Sequence, residues 1–183
     1  MKKILLGIAG VLGVAIVVIL IIAATKPDTF HVERKTTSSA APSAVYANVE
    51  DFHRWAQWSP WEKLDPGMSK TFSGSAHGPG AVYEWKGNKD VGEGRMTITE
   101  SRDNERVQIR LQFLEPFPAD NRTTFTLAPA GGGTEITWAM DGANTFMGKV
   151  MSVFVDMDSL VGGDFERGLV NLKQVSEGAH ASQ

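Results

Sequence analysis

Four histidines, His31, His53, His77 and His180, are the first candidates for metal binding or proton transfer. None falls in an HExxH pattern, and the chain has no cysteine to complete a zinc set. His53 lies beside a tryptophan-rich segment and could act as an acid or base there. The simpler reading is a surface or helix-capping histidine. Asp156, Asp158, Asp164 and Glu166 form the densest carboxylate cluster. A calcium loop counted from Asp156 would need glycine at its sixth place and glutamate at its twelfth. Those places hold Val161 and Arg167, so the pattern fails. A carboxylate pair could do acid–base work. A helix cap followed by a solvated face explains the same residues more simply. Gly92-x-Gly94 is not followed by a helical segment, so it reads as a bulge or tight turn rather than a phosphate cradle. No Gly-x-Ser-x-Gly elbow is present. Glu84 would be a perturbed acid if it pointed into an apolar groove. Strand alternation sets it opposite Tyr83 and Trp85, and the aromatic pair is the better choice for the inside. The residues therefore give no convergent catalytic set, no metal site and no cofactor.

What stands out instead is apolar. Residues 52–66 read FHRWAQWSPWEKLDP and hold three of the five tryptophans, Trp55, Trp58 and Trp61. Trp55 and Trp58 are three apart and share a face of a short helix. Their indole N–H groups need acceptors, which Asp65 or a main-chain carbonyl could supply. The charges around them, including Arg54, Glu62 and Lys63, read as the solvated side of that helix. The cluster can be a core anchor, the wall of a ligand cavity or a bilayer-interface contact.

The elements that must position these residues begin with a different kind of sequence. Residues 4–24 contain no polar side chain. As a helix they span about 31 Å, against a hydrocarbon core of about 30 Å. That is too long for the apolar part of a cleaved signal peptide, and Ile22 is a poor residue three places before a cut after Ala24. The segment reads as an uncleaved transmembrane helix, with residues 1–3 as a short tail and 25–29 as a short tether. Lysines and arginines on the two flanks do not separate the orientations cleanly. A three-residue tail stays easily in the cytoplasm, which points to a single-pass protein of a bacterial-type inner membrane with its domain outside the cytoplasm. Of the 18 basic side chains, Lys2, Lys3 and Lys26 precede every acidic residue, and the remainder carries a net charge of −6. This argues against nucleic acid and against a polybasic lipid-binding face.

In the soluble part, Phe30, Val32 and Arg34 alternate as in a strand. Residues 38–42 (SSAAP) favour a helix start, and a second short helix is expected over 53–58, ending at Pro60. From there to residue 142, glycine and proline punctuation separates alternating runs at 81–86, 95–100, 107–113, 123–127 and 135–140. These read as half-buried antiparallel strands, with hairpins at Asp103-Asn104 and at the triple glycine 131–133. The C-terminal part is helical, with Phe146, Val150, Phe154 and Met157 on one face. Gly162-Gly163 is expected to interrupt it, and Asp164 to cap a new turn. Residues 179–183 read as a frayed tail. The fold class is therefore α+β: a curved antiparallel sheet covered by a long C-terminal helix, preceded by one transmembrane helix.

Three stretches, FHRWAQWSPWEKLDP, GAVYEWKGNKDVGEGRMTI at 80–98 and GGDFERGLVNLK at 162–173, resemble the START-like helix-grip superfamily. Within it they are similar to the polyketide-cyclase/dehydrase and lipid-transport-like branch, also called SRPBCC. The resemblance covers residues 30–178 and implies a β-α-α-β6-α order around a groove. It also implies an apolar ligand held between sheet and helix, with cyclisation, dehydration or hydrolysis in a minority of members. The expected ligand wall comprises Trp55 and Trp58 from the short helices, and Tyr83, Trp85 and Met96 from one side of the sheet. Ile109, Leu111, Phe113, Phe125, Trp138 and Met140 would form its floor, and Val150, Phe154 and Met157 its helical cover. Three functions follow as expectations: a membrane-tethered binder of a hydrophobic small molecule or lipid, a cyclase- or dehydratase-like enzyme, or a non-catalytic partner of a membrane complex.

Overall fold

A computed structural model describes residues 2–178. Met1 and the tail 179–183, with His180, lie outside the described residues. Helix α1 (Lys2–Thr25) is followed after three residues by strand β1 (Thr29–Ser38). Its stretch Gly7–Thr25 is long and apolar enough to cross a membrane, and nearly all of it is exposed. Ala23, in its last turn, is fully buried. Next come α2 (Pro42–Val49) and two 3-10 segments, Phe52–Gln57 and Pro60–Lys63. Six strands follow: β2 (Ser69–Gly74), β3 (Ala81–Lys86), β4 (Glu93–Arg102), β5 (Arg106–Glu115), β6 (Ala119–Ala130) and β7 (Gly133–Ala143). Helices α3 (Phe146–Met151) and α4 (Met157–Ser176) complete the chain.

The seven strands form one antiparallel sheet in the order β1-β7-β6-β5-β4-β3-β2. Alternation sets the register: Phe125 pairs with Trp138 and with Val107, and Ile98 with Ile109, so one face is apolar throughout. Two register shifts in β4, at Glu93/Gly94 and Ile98/Glu100, interrupt its ladder, and such bulges bend a sheet. Both expected hairpins form. Asn104 (φ 61°) turns β4 into β5, and Gly131 and Gly132 turn β6 into β7 with positive φ. Helix α4 lies over β1 and β7, and α2 lies across β5, β6 and β7.

Four local expectations need correction. Strand β2, SKTFSG, escapes the alternation test because Phe72 is its only large apolar residue. It is an edge strand exposed along its length. The C-terminal helix is broken at residues 152–156, not at the glycine pair, and Asp156 caps α4 by accepting from the Ser159 N–H at 2.7 Å. Gly162 and Gly163 lie inside α4. A side chain at Gly162 would collide with the Arg34 guanidinium, so long-range packing rather than a helix break explains that glycine. Residues 38–42 do lead into a helix, with Pro42 in the first turn of α2, but Ser38 ends β1 and Ala41 takes the cap position, so neither hydroxyl caps the helix; Pro60 opens a second 3-10 turn after the first has ended.

Candidate functional site

The strand register divides the concave side into two ends. At the far end lie the β4–β5 and β6–β7 turns, α2 and the end of α4. At the α1 end lie the first residues of β1, β4 and β6 and the last of β3, β5 and β7.

Toward the far end the concavity is filled by its own aromatics. Trp138 stacks on Phe165 of α4 at 4.2 Å between ring centres and on Phe125 at 4.7 Å. Trp58 meets both Phe125 and Trp138 edge-on, and Trp55 lies 4.6 Å from Trp58. Trp61, which the sequence did not tie to the other two, joins through Trp138 and Phe165. The indole N–H groups find main-chain carbonyls, Trp55 that of Val49 at 3.0 Å and Trp58 that of Asn48 at 3.1 Å. Asp65 plays no part in this. It accepts instead from the Gly67 and Asn88 backbone N–H groups. Gly168 lets α4 approach closely, because a Cβ there would fall 2.6 Å from the Trp138 ring. Trp55, Trp58, Ile109, Phe125 and Trp138 are buried in this core, and the burial continues through Tyr83, Met96 and Met140 to the row in which Met96 pairs with Leu111, so these expected wall residues pack against one another. The continuous oily hollow expected from the sequence does not extend into this region. Its side chains are large enough to meet across the gap.

One loose end remains in the stack. The Trp138 Nε1–H is buried without a hydrogen-bond partner among the described residues. A buried donor left unpaired costs about 1–3 kcal/mol.

The α1 end is different. Trp85, Leu111, Phe113, Val150 and Met157 are only half-buried. Gly94 clears space for Trp85, whose ring would lie 2.3 Å from a Cβ at that position. Trp85 meets Phe113 edge-on at 6.0 Å and donates from Nε1 to the Val91 carbonyl at 3.0 Å. Glu84 points the other way, toward Arg95 at 3.8 Å. Phe154 is a correction: it lies in the α3–α4 turn and is 67% exposed, so it does not line the core.

The sequence reading missed one polar group on the concave side. The Glu62 side chain is 8% exposed and pairs with Lys70 of β2. It also accepts from the Tyr83 hydroxyl at 2.7 Å. From the sequence it belongs to a solvated helix face, because its partners arrive from strands that no local pattern connects to it. Burial, with the Glu62 carboxylate beside it, pushes the Tyr83 phenol far above its ordinary value. Tyr83 is therefore a neutral donor here, not a base. His53 is exposed, lies 2.9 Å from Asp51 Oδ1 through its ring Nδ1 and stacks on Phe72.

Asp158 and Glu166, from the carboxylate cluster, hold Arg34 of β1. The guanidinium donates to both Asp158 oxygens at 2.6 and 2.9 Å and to Glu166 at 2.7 Å. The pairing keeps the Asp158 carboxyl below its ordinary value. These residues fasten α4 to the sheet. Among the described residues no group of three or more histidine, aspartate or glutamate side chains could hold a metal ion. A hollow of about 680 Å3 lies at the sheet surface and is lined in part by His31, Arg110, Asp120, Arg122 and Asp141. Its charges pair with one another, Arg110 with Asp120, and Asp141 with His31 and Arg122. It is unsuited to an apolar ligand.

No curated protein matches this chain. Solved structures do. Protein CV1439 from Chromobacterium violaceum is 20% identical, with a TM-score of 0.57 over 82% of this chain and 99% of that one. The KanY protein is also 20% identical, at 0.59 over 82% and 99%. A protein from Rhizobium leguminosarum is 14% identical, at 0.59 over 82% and 95%. At these identities the likeness establishes the fold. Sequence similarity to a family profile reaches further, because it covers residues 29–177, from the first strand to just past the end of α4. The chain thus belongs to the polyketide cyclase / dehydrase and lipid transport family, whose helix-grip fold its curved sheet and α4 reproduce.

Proposed function

We propose that this protein is a membrane-held binding module that takes an apolar small molecule or lipid at the α1 end of its grip. The observation that carries the reading is the contrast along the concave side. The aromatic stack closes one end, while Trp85, Leu111, Phe113, Val150 and Met157 stay half-buried at the end beside α1. Pockets for such ligands are mostly apolar with few polar groups, and Met157 on the cover suits an adaptable wall. The family description includes lipid transport, in keeping with this choice. A cleaved signal sequence would leave α1 without a role. Instead α3 packs on α1, and the Asn144 side chain and backbone donate to the Pro27 and Asp28 carbonyls. Those contacts favour a retained anchor. The test is to purify the full chain into nanodiscs, extract it with solvent and identify retained molecules by mass spectrometry. Photolabelling with a diazirine fatty acid follows. Labelling of peptides carrying Leu111 or Phe113, competed by unlabelled lipid, is expected. Absence of any retained or competed apolar molecule overturns the proposal.

A second reading, catalysis in the same groove, has one observation behind it: the nearly buried Glu62 carboxylate beside Tyr83. It requires Glu62→Gln to abolish turnover of a polyketide-like substrate while the fold survives. Retained activity in that variant removes Glu62 as the acid or base.

A further inference from the structure

The α1 end of the domain carries apolar side chains that neither the core nor the groove uses. Residues 145–155 read TFMGKVMSVFV and contain one charged residue, Lys149. That lysine's side chain is 13% exposed, and its Nζ lies 2.5 Å from Oδ1 of Asp28, whose own side chain is 94% exposed. Phe146, Met147, Met151, Phe154 and Val155 are all exposed. Across the same end of the sheet, between β5 and β6, Phe117 sits in a Pro-Phe-Pro loop and is 82% exposed. Ala119 pairs with Phe113, and Asn121 pairs with Gly142 near the end of β7. The loop and α3 therefore project from the same end.

The depth of this end is set by α1. Helix α3 packs against α1, and Ala23, in the last turn before the helix exit, is completely buried. Only Lys26, Pro27 and Asp28 separate α1 from β1. We infer that α3, the α3–α4 turn and the Phe117 loop are seated in the headgroup and upper acyl region of the bilayer that α1 crosses. This rests on reading α1 as a membrane helix. Apolar side chains in water at this end have no structural partner, whereas the same side chains at the lipid boundary bury their area in it. Within residues 145–155 the one charge, Lys149, is neutralised by its pairing with Asp28, which leaves that segment without a free charge to resist immersion. The apolar rim then runs from the acyl boundary to the half-buried residues of the groove, so an apolar ligand could cross from lipid to groove without traversing water.

The chain has no cysteine, so single-cysteine labelling needs no background variant. Phe117→Cys, Met151→Cys and Phe154→Cys, with Asn104→Cys at the far end as reference, are made in the full chain. They are labelled with a nitrobenzoxadiazole fluorophore in phosphatidylcholine–phosphatidylglycerol vesicles. Doxyl groups on shallow acyl carbons are expected to quench the first three labels several-fold more than the label at position 104. Aqueous iodide is expected to show the reverse order. Equal iodide quenching at all four positions overturns the inference. Protection of positions 117, 151 and 154 from both quenchers also overturns it, and assigns the face to a second copy or a protein partner. Release of the chain from vesicles by alkaline carbonate would remove the anchor reading and this inference together. Lipid retention in nanodiscs is a separate readout, so failure of the ligand proposal is distinguishable.

Discussion

Three glycines in α4 should respond in different ways to the same alanine substitution, because each faces something different. At Gly168 a Cβ would fall 2.6 Å from Trp138 and 3.3 Å from Pro60. The Trp138 ring is held between Phe125 and Phe165 and cannot swing aside. Overpacking of this kind costs about 1–3 kcal/mol, against about 1 kcal/mol gained by replacing glycine within a helix. With a contact this short the cost should lie in the upper part of that range, leaving a net loss of about 1–2 kcal/mol. At Gly163 the nearest atom to a Cβ is Arg167 Nη1 at 3.6 Å, an ordinary contact at an exposed position. Gly163→Ala should keep most of the helix gain of about 1 kcal/mol. Gly162→Ala falls between, because the group displaced is a side-chain end rather than a locked ring, but the Arg34 guanidinium can yield only by loosening its bonds to Asp158 and Glu166. For a domain of this size 1 kcal/mol shifts Tm by about 2–4 °C, so the first two variants should separate by at least about 4 °C. The assay is thermal unfolding of the full chain in one detergent, followed by tryptophan fluorescence. If Gly168→Ala is as stable as Gly163→Ala, α4 is not seated on Trp138 as described.

Further outcomes follow from the same geometry. Glu62→Ala should destabilise by about 2–4 kcal/mol, since Lys70 and the Tyr83 hydroxyl both lose their partner at a nearly buried position, whereas Glu62→Gln should recover part of the loss; guanidinium unfolding measures both. Asp158 has its folded pKa held below the ordinary 3.8 by Arg34, so its contribution to stability is present above that value and disappears as the pH falls through the folded value. The stability difference between the native chain and Arg34→Ala should therefore shrink below about pH 3.8 in an acid titration, and a difference unchanged down to the folded value would contradict the pairing. Leu111→Glu, at a half-buried position, should reduce retention of apolar molecules in nanodiscs more than it lowers Tm; equal retention would move the binding site elsewhere.

Much of the sheet was legible because one face of each inner strand must be apolar and the other wet. That condition writes a period of two into β4, β5, β6 and β7, and into Tyr83 and Trp85 of β3. It fails for β2, where both faces are exposed and only Phe72 marks the inner side. The glycine pair in α4 misled for a related reason. Glycine is read locally as punctuation, yet Gly162 and Gly168 serve distant residues, Arg34 and Trp138, which only the folded chain brings there. Glu62 was hidden in the same way, its partners lying 8 and 21 residues ahead on β2 and β3. The tryptophan cluster was conspicuous, but composition alone could not distinguish aromatics that border a space from aromatics that fill it.

Helix α4 is bolted down along its whole length. Arg34 grips its beginning through Asp158 and Glu166, and Asn171 donates to the Trp58 carbonyl in its second half. Just past its end, Glu177 accepts from the Ser38 hydroxyl and the Ser39 backbone N–H. Such a helix cannot lift like a lid without undoing three separate fastenings. By contrast α3 leans mainly on α1 and is joined to α4 by the short turn of residues 152–156. A widening of this grip that spares those fastenings would have to start at α3, whose own ties run to the residues between α1 and β1, through Asn144 to the Pro27 and Asp28 carbonyls and through Lys149 to the Asp28 carboxylate.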